Sequence, residues 1–280
     1  MSWAFARPAD LPLLMDFLRP REWECVSLTG RLRSGIGRGL PGGVAINVRE
    51  GRIRQAAYLS RGGLLIPCLP GCQDPADWDP AGLRDLFHEA GGAAACLMGM
   101  EEYLEPFLAA LGLRPGTRIS YHMMTLPCPE NPLPPPPPEE FRVRTATGDD
   151  LERLLPLQER YEKEEVLLRP ELFDPALTRA ELRRALKTQI LVLAEHRGRA
   201  VAKGGTNARG MGYDQIGGVF TLPDFRGRGV ALRVMERLLY LIFQGGKGAC
   251  LFVKRSNLPA IGLYRKIGFG IAGNFGIHYF

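Results

Sequence analysis

The sequence predicts a mixed α/β protein of two successive domains, each a mostly antiparallel sheet flanked by helices. Its 280 residues exceed the usual size of a single domain. A proline-rich stretch, LPCPENPLPPPPPEEF at residues 126–141, divides the chain near its middle. On both sides of this stretch, strand-like and helix-like segments follow one another in a similar order, although the halves share little sequence. We therefore expect two structurally related domains, residues 1–126 and 141–280.

Residues 127–140 are expected to link these domains. The five consecutive prolines at residues 134–138 cannot join a helix or the interior of a sheet, and they favour an extended polyproline II conformation. Such a segment could also be a ligand for a groove of another protein, but a spacer between domains is the more common use.

The second half has the predicted order β-α-α-β-β-β-α-β-α-β. Its expected elements are a strand at 141–145, helices at 149–163 and 178–188, strands at 190–196, 200–206 and 213–221, a long helix ending near 244, a strand at 249–254, a helix at 258–266 and a strand at 275–280.

The first half is expected to run similarly. Its elements are helices at 9–18 and 22–32, a hairpin of strands 43–49 and 52–59, a strand at 64–68, a helix at 81–90, a strand at 94–98, a helix at 101–111 and a strand at 118–126.

Composition favours a soluble cytoplasmic protein without membrane association. Hydrophobic residues make up 45% and charged residues 24% of the chain, no apolar run approaches the roughly 20 residues that span a bilayer, and the amino terminus lacks the pattern of a signal peptide. Cys68 and Cys72 flank a predicted turn, but zinc sites usually need a second such pair. We expect reduced thiols and no metal.

Charge is divided unevenly along the chain. Residues 1–140 contain 13 Lys and Arg against 16 Asp and Glu, whereas residues 141–280 contain 23 against 14. A basic half can bind nucleic acid or a small polyanion, and charge alone does not choose between them.

Residues 217–231, GGVFTLPDFRGRGVA, carry the clearest chemical signal. A strand ends before Pro223, and a glycine-rich turn then leads into an amphipathic helix. The first turn of a helix has N–H groups without intrahelical partners and a positive dipole end. Gly227 and Gly229 would let a pyrophosphate approach those donors, and Arg226 and Arg228 would add positive charge. The pattern predicts an anion site, whereas a lone glycine-rich connection with solvated arginines would be structural.

A second motif follows at residues 251–269, LFVKRSNLPAIGLYRKIGF. After a strand, Asn257 can cap a helix whose first turn accepts Pro259, and Gly268 can end that helix.

Together these motifs resemble the GNAT (GCN5-related N-acetyltransferase) superfamily over roughly residues 141–280. Arg226, Gly229 and Ala231 occupy its [Q/R]-x-x-G-x-[G/A] acyl-CoA loop. Its N-x-x-A-x-x-L-Y-x-x-x-G-F signature is occupied by Asn257, Ala260, Leu263, Tyr264, Gly268 and Phe269. The two-half layout resembles bacterial tandem GNAT proteins with a degenerate first half. Residues 1–126 lack the loop, since strand 64–68 is followed by the acidic PGCQDPADWDP, so this half is not expected to bind CoA that way.

The resemblance implies direct transfer of an acyl group from acetyl-CoA, the co-substrate, to a primary amine of a small molecule or peptide. The main chain of Val219, Phe220 and Thr221 would pair with the pantetheine amides. The remaining CoA contacts implied by the resemblance are Arg226, Gly227, Arg228, Gly229, Val230, Ala231 and Asn257. Tyr264 matches the usual general acid, because a phenol stays protonated at neutral pH and can donate to the departing thiolate. The alternative is that Tyr264 is only a packing residue of an amphipathic helix.

The base that deprotonates the amine stays unassigned. Some family members use a glutamate on the strand at 213–221, where this chain has only Asp214 and Gln215. Glu164 and Glu165 could face the acceptor, although a solvated helix face is the commoner place for such glutamates. Water could also remove the proton.

Two other functions remain open from the sequence. The second half could be a regulatory module that binds acyl-CoA without turnover, or it could bind nucleic acid, which its lack of a recognised module disfavours. The first half is expected to support the active half or shape the acceptor site. The assembly is expected to be a monomer or a homodimer.

Overall fold

The computed structural model describes residues 2–35, 43–74, 78–132 and 140–280, and every structural statement below concerns these residues. They form a 12-stranded sheet covered by helices. Most of the predicted linker, residues 133–139 with its prolines, lies outside the described residues, so the predicted domain limits stay a prediction.

The first half contains one strand more than the sequence predicted. Its elements are β1 (Ser2–Phe5), α1 (Leu11–Leu18), α2 (Val26–Gly35), β2 (Val44–Arg49), β3 (Arg52–Leu59), β4 (Leu64–Cys68), α3 (Pro80–Glu89), β5 (Cys96–Met100), α4 (Glu101–Leu111) and β6 (Thr117–Leu126). The additional strand, β1, pairs antiparallel with β2. The helix predicted at 22–32 is wrong in its first turn, because a 3₁₀ segment, Arg19–Glu24, ends at Cys25 before α2 begins.

The second half has the predicted order of elements. They are β7 (Arg142–Thr145), α5 (Leu151–Tyr161), α6 (Pro175–Thr188), β8 (Leu191–His196), β9 (Arg199–Arg209), β10 (Tyr213–Thr221), α7 (Val230–Gln244), β11 (Gly248–Lys254), α8 (Leu258–Ile267) and β12 (Gly270–Tyr279). Helix α6 begins earlier than predicted because the Asp174 side chain accepts the N–H groups of Ala176 and Leu177. A π-helical turn, Glu162–Val166, continues α5.

The sheet has the strand order β1-β2-β3-β4-β5-β12-β6-β11-β10-β9-β8-β7. Neighbours are antiparallel except for the pairs β4–β5 and β10–β11, which are parallel. The predicted fold class, a mixed and mostly antiparallel sheet flanked by helices, is confirmed.

The two halves exchange their last strands across the middle of this sheet. Strand β6 of the first half pairs with β11 of the second, from Tyr121 opposite Lys254 to Leu126 opposite Ala249. Strand β12 of the second half pairs with β5 of the first and also with β6. The two halves therefore share a continuous sheet.

Strands β10 and β11 separate soon after they begin. They pair only through residues 213–215 and 248–250 among the described residues. Further along β10, the pairing with β9 shifts register between Gly217 and Phe220, and Gly218 adopts a φ of +63°, in the left-handed region that favours glycine. The gap between β10 and β11 opens a cleft in the second half.

Helix α7 closes one face of this half. The apolar face that the sequence predicts for this helix comprises Val230, Val234, Leu238, Leu241 and Ile242; all are buried except Leu241, which is half-buried. Each of the buried side chains contributes on the order of 2 kcal/mol, so the start of α7 is firmly fixed beside the cleft.

Candidate active site

A cavity of about 700 Å³ occupies the gap between β10 and β11. Its walls come from the end of β10, the first turn of α7, helix α8, the turn after α5, and strands β6, β11 and β12. Both halves of the chain therefore contribute to it.

The cavity brings together nearly all of the residues that the sequence predicted for CoA binding. Those that line it are Val219, Phe220, Thr221, Arg226, Gly227, Gly229, Val230, Ala231 and Asn257. Tyr264, the predicted general acid, lines the same cavity. Their individual roles stay predictions.

The loop before α7 depends on glycine for its backbone conformation. Gly227 and Gly229 have φ angles of +74° and +75°, and Gly229 is the N-cap of the helix. A Cβ atom at either position would meet nothing within 4 Å. Left-handed backbone, rather than crowding by the protein, is what favours glycine here. The N–H groups of the first turn, which have no intrahelical acceptor, lie at the cavity wall.

Arg226 is fixed at the edge of this loop. Its Nε donates to the Thr221 carbonyl at 3.0 Å and its Nη2 donates to Glu164 Oε2 at 2.8 Å. Its guanidinium also lies 5.5 Å from the centre of the Phe220 ring. These contacts hold a positive charge beside the start of α7, although Glu164 partly balances it.

Arg228 lies elsewhere. Its guanidinium pairs with Glu140 and lies 5.3 Å from the ring centres of both Phe141 and Phe225. It is not among the residues that line the described cavity. This arrangement was not predicted from the sequence, because Glu140 and Phe141 lie far from Arg228 along the chain.

Helix α8 begins and ends as the sequence predicted. Asn257 Oδ1 accepts the N–H of Ala260 at 3.2 Å, and Gly268 ends the helix with a φ of +109°. Between them, Tyr264 is buried and lines the cavity. Burial raises the pKa of its phenol, and nearby Tyr161 and Glu165 raise it further. The phenol therefore stays protonated at neutral pH and is able to donate.

Comparisons with known proteins agree with this geometry. Residues 193–274 match the family model described as FR47-like protein. A GCN5-related N-acetyltransferase of Sphaerobacter thermophilus is 19% identical, with a TM-score of 0.59 over 99% of this chain and 94% of that one. A tandem GNAT protein from the clavulanic acid biosynthesis pathway is 14% identical, with a TM-score of 0.60 over 99% and 98%.

The chain has the GNAT fold. The similarity to a tandem GNAT protein spans both halves, so the resemblance inferred from the two motifs is confirmed at the level of fold. A putative GNAT acetyltransferase of Novosphingobium aromaticivorans, 18% identical, also aligns over 90% of this chain and 94% of its own with a TM-score of 0.54. No curated protein matches the sequence.

Lys203 is a buried residue of the second half that was not predicted from the sequence. Its Nζ donates to the Gly218 carbonyl at 2.9 Å and lies 4.5 Å from the centre of the Tyr161 ring. Burial lowers the pKa of this lysine to about 7, against a smaller opposing effect of Glu162. Lys203 thus ties the irregular part of β10 to β9.

A second cavity, of about 290 Å³, lies beside the first. Lys203 lines it, and the two cavities share Tyr161, Asn207, Gly217 and Gly218 as walls. The bulged part of β10 therefore separates two spaces.

The candidate bases differ in their access to the main cavity. Asp214 is fully buried, accepts from Lys247 Nζ at 2.9 Å and from Arg209 Nε at 3.2 Å, and lines neither of the two described cavities. Glu164 pairs with Arg226. Glu165 lines the main cavity, so it has the best access of the three carboxylates.

Within the described ranges, no three His, Cys, Asp or Glu side chains come together as a potential metal site. The six cysteines are free. No described helix combines the length and apolar character that a membrane span requires.

Proposed function

We propose that this protein is an acetyl-CoA-dependent N-acetyltransferase that transfers an acyl group to a primary amine of a small molecule or peptide. The observation that carries the proposal is that a single cavity joins the glycine-rich start of α7 to the buried hydroxyl-bearing residue Tyr264. An anion site and a proton donor in one cleft fit a substrate that carries both a diphosphate and a thioester.

The start of α7 would hold the diphosphate. The N–H groups of Val230 and Ala231 have no intrahelical acceptor, the helix dipole is positive there, and Arg226 adds a fixed charge. Because no side chain occupies Gly227 or Gly229, phosphate oxygens can reach the backbone.

Strand β10 would bind the pantetheine arm. Beyond Gln215 it has no hydrogen-bonded neighbour on its β11 side among the described strands, while Phe220 and Thr221 still pair with β9 on the other. The strand edge facing the gap therefore offers main-chain donors and acceptors to the amides of a bound pantetheine.

The chemistry is a direct displacement. The amine nitrogen attacks the thioester carbon, the carbon–sulfur bond breaks, and the thiolate takes a proton from the Tyr264 hydroxyl. The amine gives up one proton to a base or to water, and the Tyr264 phenolate regains a proton from water, so an amide and free CoA leave the site and the tyrosine is restored.

Two measurements test the proposal in sequence. Calorimetry with CoA should give saturable binding to the full chain, and a Gly229→Val variant should bind at least about tenfold more weakly, since its side chain would project where phosphate binds. Acetyl-CoA with a panel of primary amines should then release free thiol. Binding without thiol release would favour the non-catalytic regulatory module instead, and the absence of CoA binding would refute both.

A further inference from the structure

Four tyrosines and one carboxylate line the main cavity, and one of the tyrosines is the predicted general acid Tyr264. They come from separate elements: Tyr121 from β6, Tyr161 from α5, Glu165 from the π-helical turn, Tyr264 from α8 and Tyr279 from β12. One of them, Tyr121, belongs to the half that lacks the CoA loop.

These side chains converge on a common region. All five line the same cavity. Burial raises the pKa of Tyr121, and Tyr279, Tyr161 and Glu165 raise it further. Tyr161 and Glu165 likewise add to the effect of burial on the pKa of Tyr264. The cavity therefore has an aromatic wall with one carboxylate in it.

The aromatic wall is packed in place by the sheet. Tyr121 is 8% exposed and meets Phe252 of β11 edge to face, with the ring centres 5.2 Å apart. Phe252 in turn stacks on Phe275 of β12 at 4.9 Å. The exchange of β6 and β12 between the halves is what brings these rings together.

The carboxylate of Glu165 keeps contact with the cavity. Lys254 Nζ donates to the main-chain carbonyl of Glu165 at 2.7 Å and lies farther, at 3.6 Å, from its carboxylate oxygen. The side chain of Glu165 remains 38% exposed. Lys254 therefore pairs with Glu165 at the cavity wall, and the exposed part of this carboxylate stays within reach of a cation in the cavity.

We propose that Tyr121, Tyr161, Tyr264, Tyr279 and Glu165 form the acceptor subsite, and that the acceptor is an arylalkyl primary amine that enters as its ammonium ion. This inference rests on the proposed transferase function. The faces of phenol rings attract an ammonium group, and their apolar surface binds an aromatic or aliphatic body. A carboxylate on the acceptor beside its amine would stand against Glu165 and be repelled. The first half thus supplies part of the specificity.

Three probes that differ in one feature at a time test the acceptor class on the full chain with saturating acetyl-CoA. Phenethylamine has the ring and the amine, phenylalanine adds only a carboxylate, and ethanolamine has a hydroxyl group in place of the ring. Phenethylamine should have a kcat/KM at least about tenfold above either of the others, because burial of its phenyl ring favours it over ethanolamine and the absence of charge repulsion favours it over phenylalanine.

Matched variants assign the effect to the named residues. Glu165→Gln keeps the shape but removes the charge, so the ratio of kcat/KM for phenethylamine over phenylalanine should fall about tenfold. Tyr121→Ala should raise the KM for phenethylamine about tenfold, whereas Tyr121→Phe, which keeps the ring, should change it less than about twofold. The KM for acetyl-CoA should stay unchanged in all three. Should Tyr121→Ala fail to fold, the charge-only variant Glu165→Gln still decides the matter.

The outcomes separate this inference from the proposed function. Thiol release with ethanolamine or phenylalanine in preference to phenethylamine would keep the transferase and overturn the aromatic subsite. A Glu165→Gln variant with an unchanged substrate ratio, or no binding of phenethylamine to the CoA-saturated protein, would overturn it too. Loss of CoA binding by the unaltered chain would instead remove the proposed function and the inference with it.

Discussion

Lys203 is held in a buried environment that disfavours its charged form. It is 5% exposed, and neutral groups hold its ammonium: the Gly218 carbonyl and the Tyr161 ring. Desolvation lowers its pKa from 10.5 to about 7. The native state therefore disfavours the protonated lysine, which the unfolded chain accommodates freely.

We predict that Lys203→Met changes the pH dependence of stability. Below pH 7 both states of the natural chain carry the proton, and the full cost of burying the charge is present, on the order of 5 kcal/mol. Between pH 7 and 10.5 only the unfolded chain holds the proton, so the contribution of Lys203 makes stability rise with pH. The variant lacks this rise.

Urea unfolding at pH 6, 7, 8 and 9 measures the effect as a difference between variant and natural chain. The advantage of the variant, reduced by its lost hydrogen bond to Gly218, should be constant below pH 7. It should then shrink by roughly 1.4 kcal/mol per pH unit above that point. Cysteines and tyrosines that titrate at higher pH are the same in both proteins and cancel. If the unfolding free energies of variant and natural chain changed with pH in the same way, burial would not disfavour the protonated form of Lys203.

Tyr264→Phe tests the proton donor of the proposed reaction. Since thiolates are good leaving groups, turnover should fall by about tenfold to a thousandfold rather than vanish, while the affinity for acetyl-CoA is spared. Tyr240→Phe, on α7 and outside the cavity walls, is the matched control and should leave turnover unchanged. A normal rate in Tyr264→Phe would remove the tyrosine from the mechanism.

At this scale the sequence predicted residues that belong to a local motif and missed those that meet only in space. Tyr264 follows Asn257 at the spacing of a recognisable signature, so it could be singled out. Tyr121 and Lys203 lie in strands of ordinary composition, and their positions at the main and second cavities depend on strand pairings that distant residues determine. Arg228 belongs to the loop motif, but the motif did not predict that its guanidinium contacts the rings of Phe141 and Phe225.

Among the elements, α7 and α8 use glycine in opposite ways. Gly229 precedes α7 with a left-handed backbone, whereas Gly262 lies exposed within α8, where a Cβ would meet nothing. We predict that Gly229→Ala lowers stability by about 1–2 kcal/mol and weakens CoA binding, because alanine resists positive φ.

Gly262→Ala is the control, since it adds the same methyl group to a regular helix. It should raise stability by about 0.5–1 kcal/mol and leave CoA binding unchanged. Thermal unfolding and calorimetry on both variants give the comparison. Equal losses in CoA affinity would mean that the conformation of the loop before α7 does not govern the site.

Regular elements were predictable from the chain because their signals are local. Apolar spacing and capping residues located α7 and α8, and Glu50-Gly51 marked the β2–β3 hairpin, whose turn has φ values of +52° and +72°. Strand β1 was missed because its four residues are too few to establish a pattern. The shift in β10 was missed because it forms against the side chains of β9 and α5, which the local sequence does not specify.

For the whole molecule, the exchange of strands makes each half incomplete. Met124 of β6 packs in the hydrophobic cluster of the second half, and Phe275 and Ile277 of β12 pack in that of the first. The Glu22 carboxylate, 1% exposed, also accepts N–H groups from Gly212 and Tyr213 across the halves. The similar order of helices and strands in the two halves could be predicted from the sequence. The exchange of strands could not, because it pairs residues more than 100 positions apart.

We therefore predict that the halves do not fold separately. A fragment of residues 141–280 lacks β6, so β11 becomes an open edge beside the apolar Phe252, and such edges aggregate. A fragment of residues 1–132 lacks β12 and exposes the facing edges of β5 and β6. Each should be insoluble or oligomeric alone. Co-expressed, with an affinity tag on only one, they should purify together at a 1:1 ratio and bind CoA, because the missing strands are then supplied in trans.

A soluble, monomeric 141–280 fragment with the CoA affinity of the full chain would show instead that β6 is dispensable. The first half would then have no structural reason to contribute Tyr121 to the cavity.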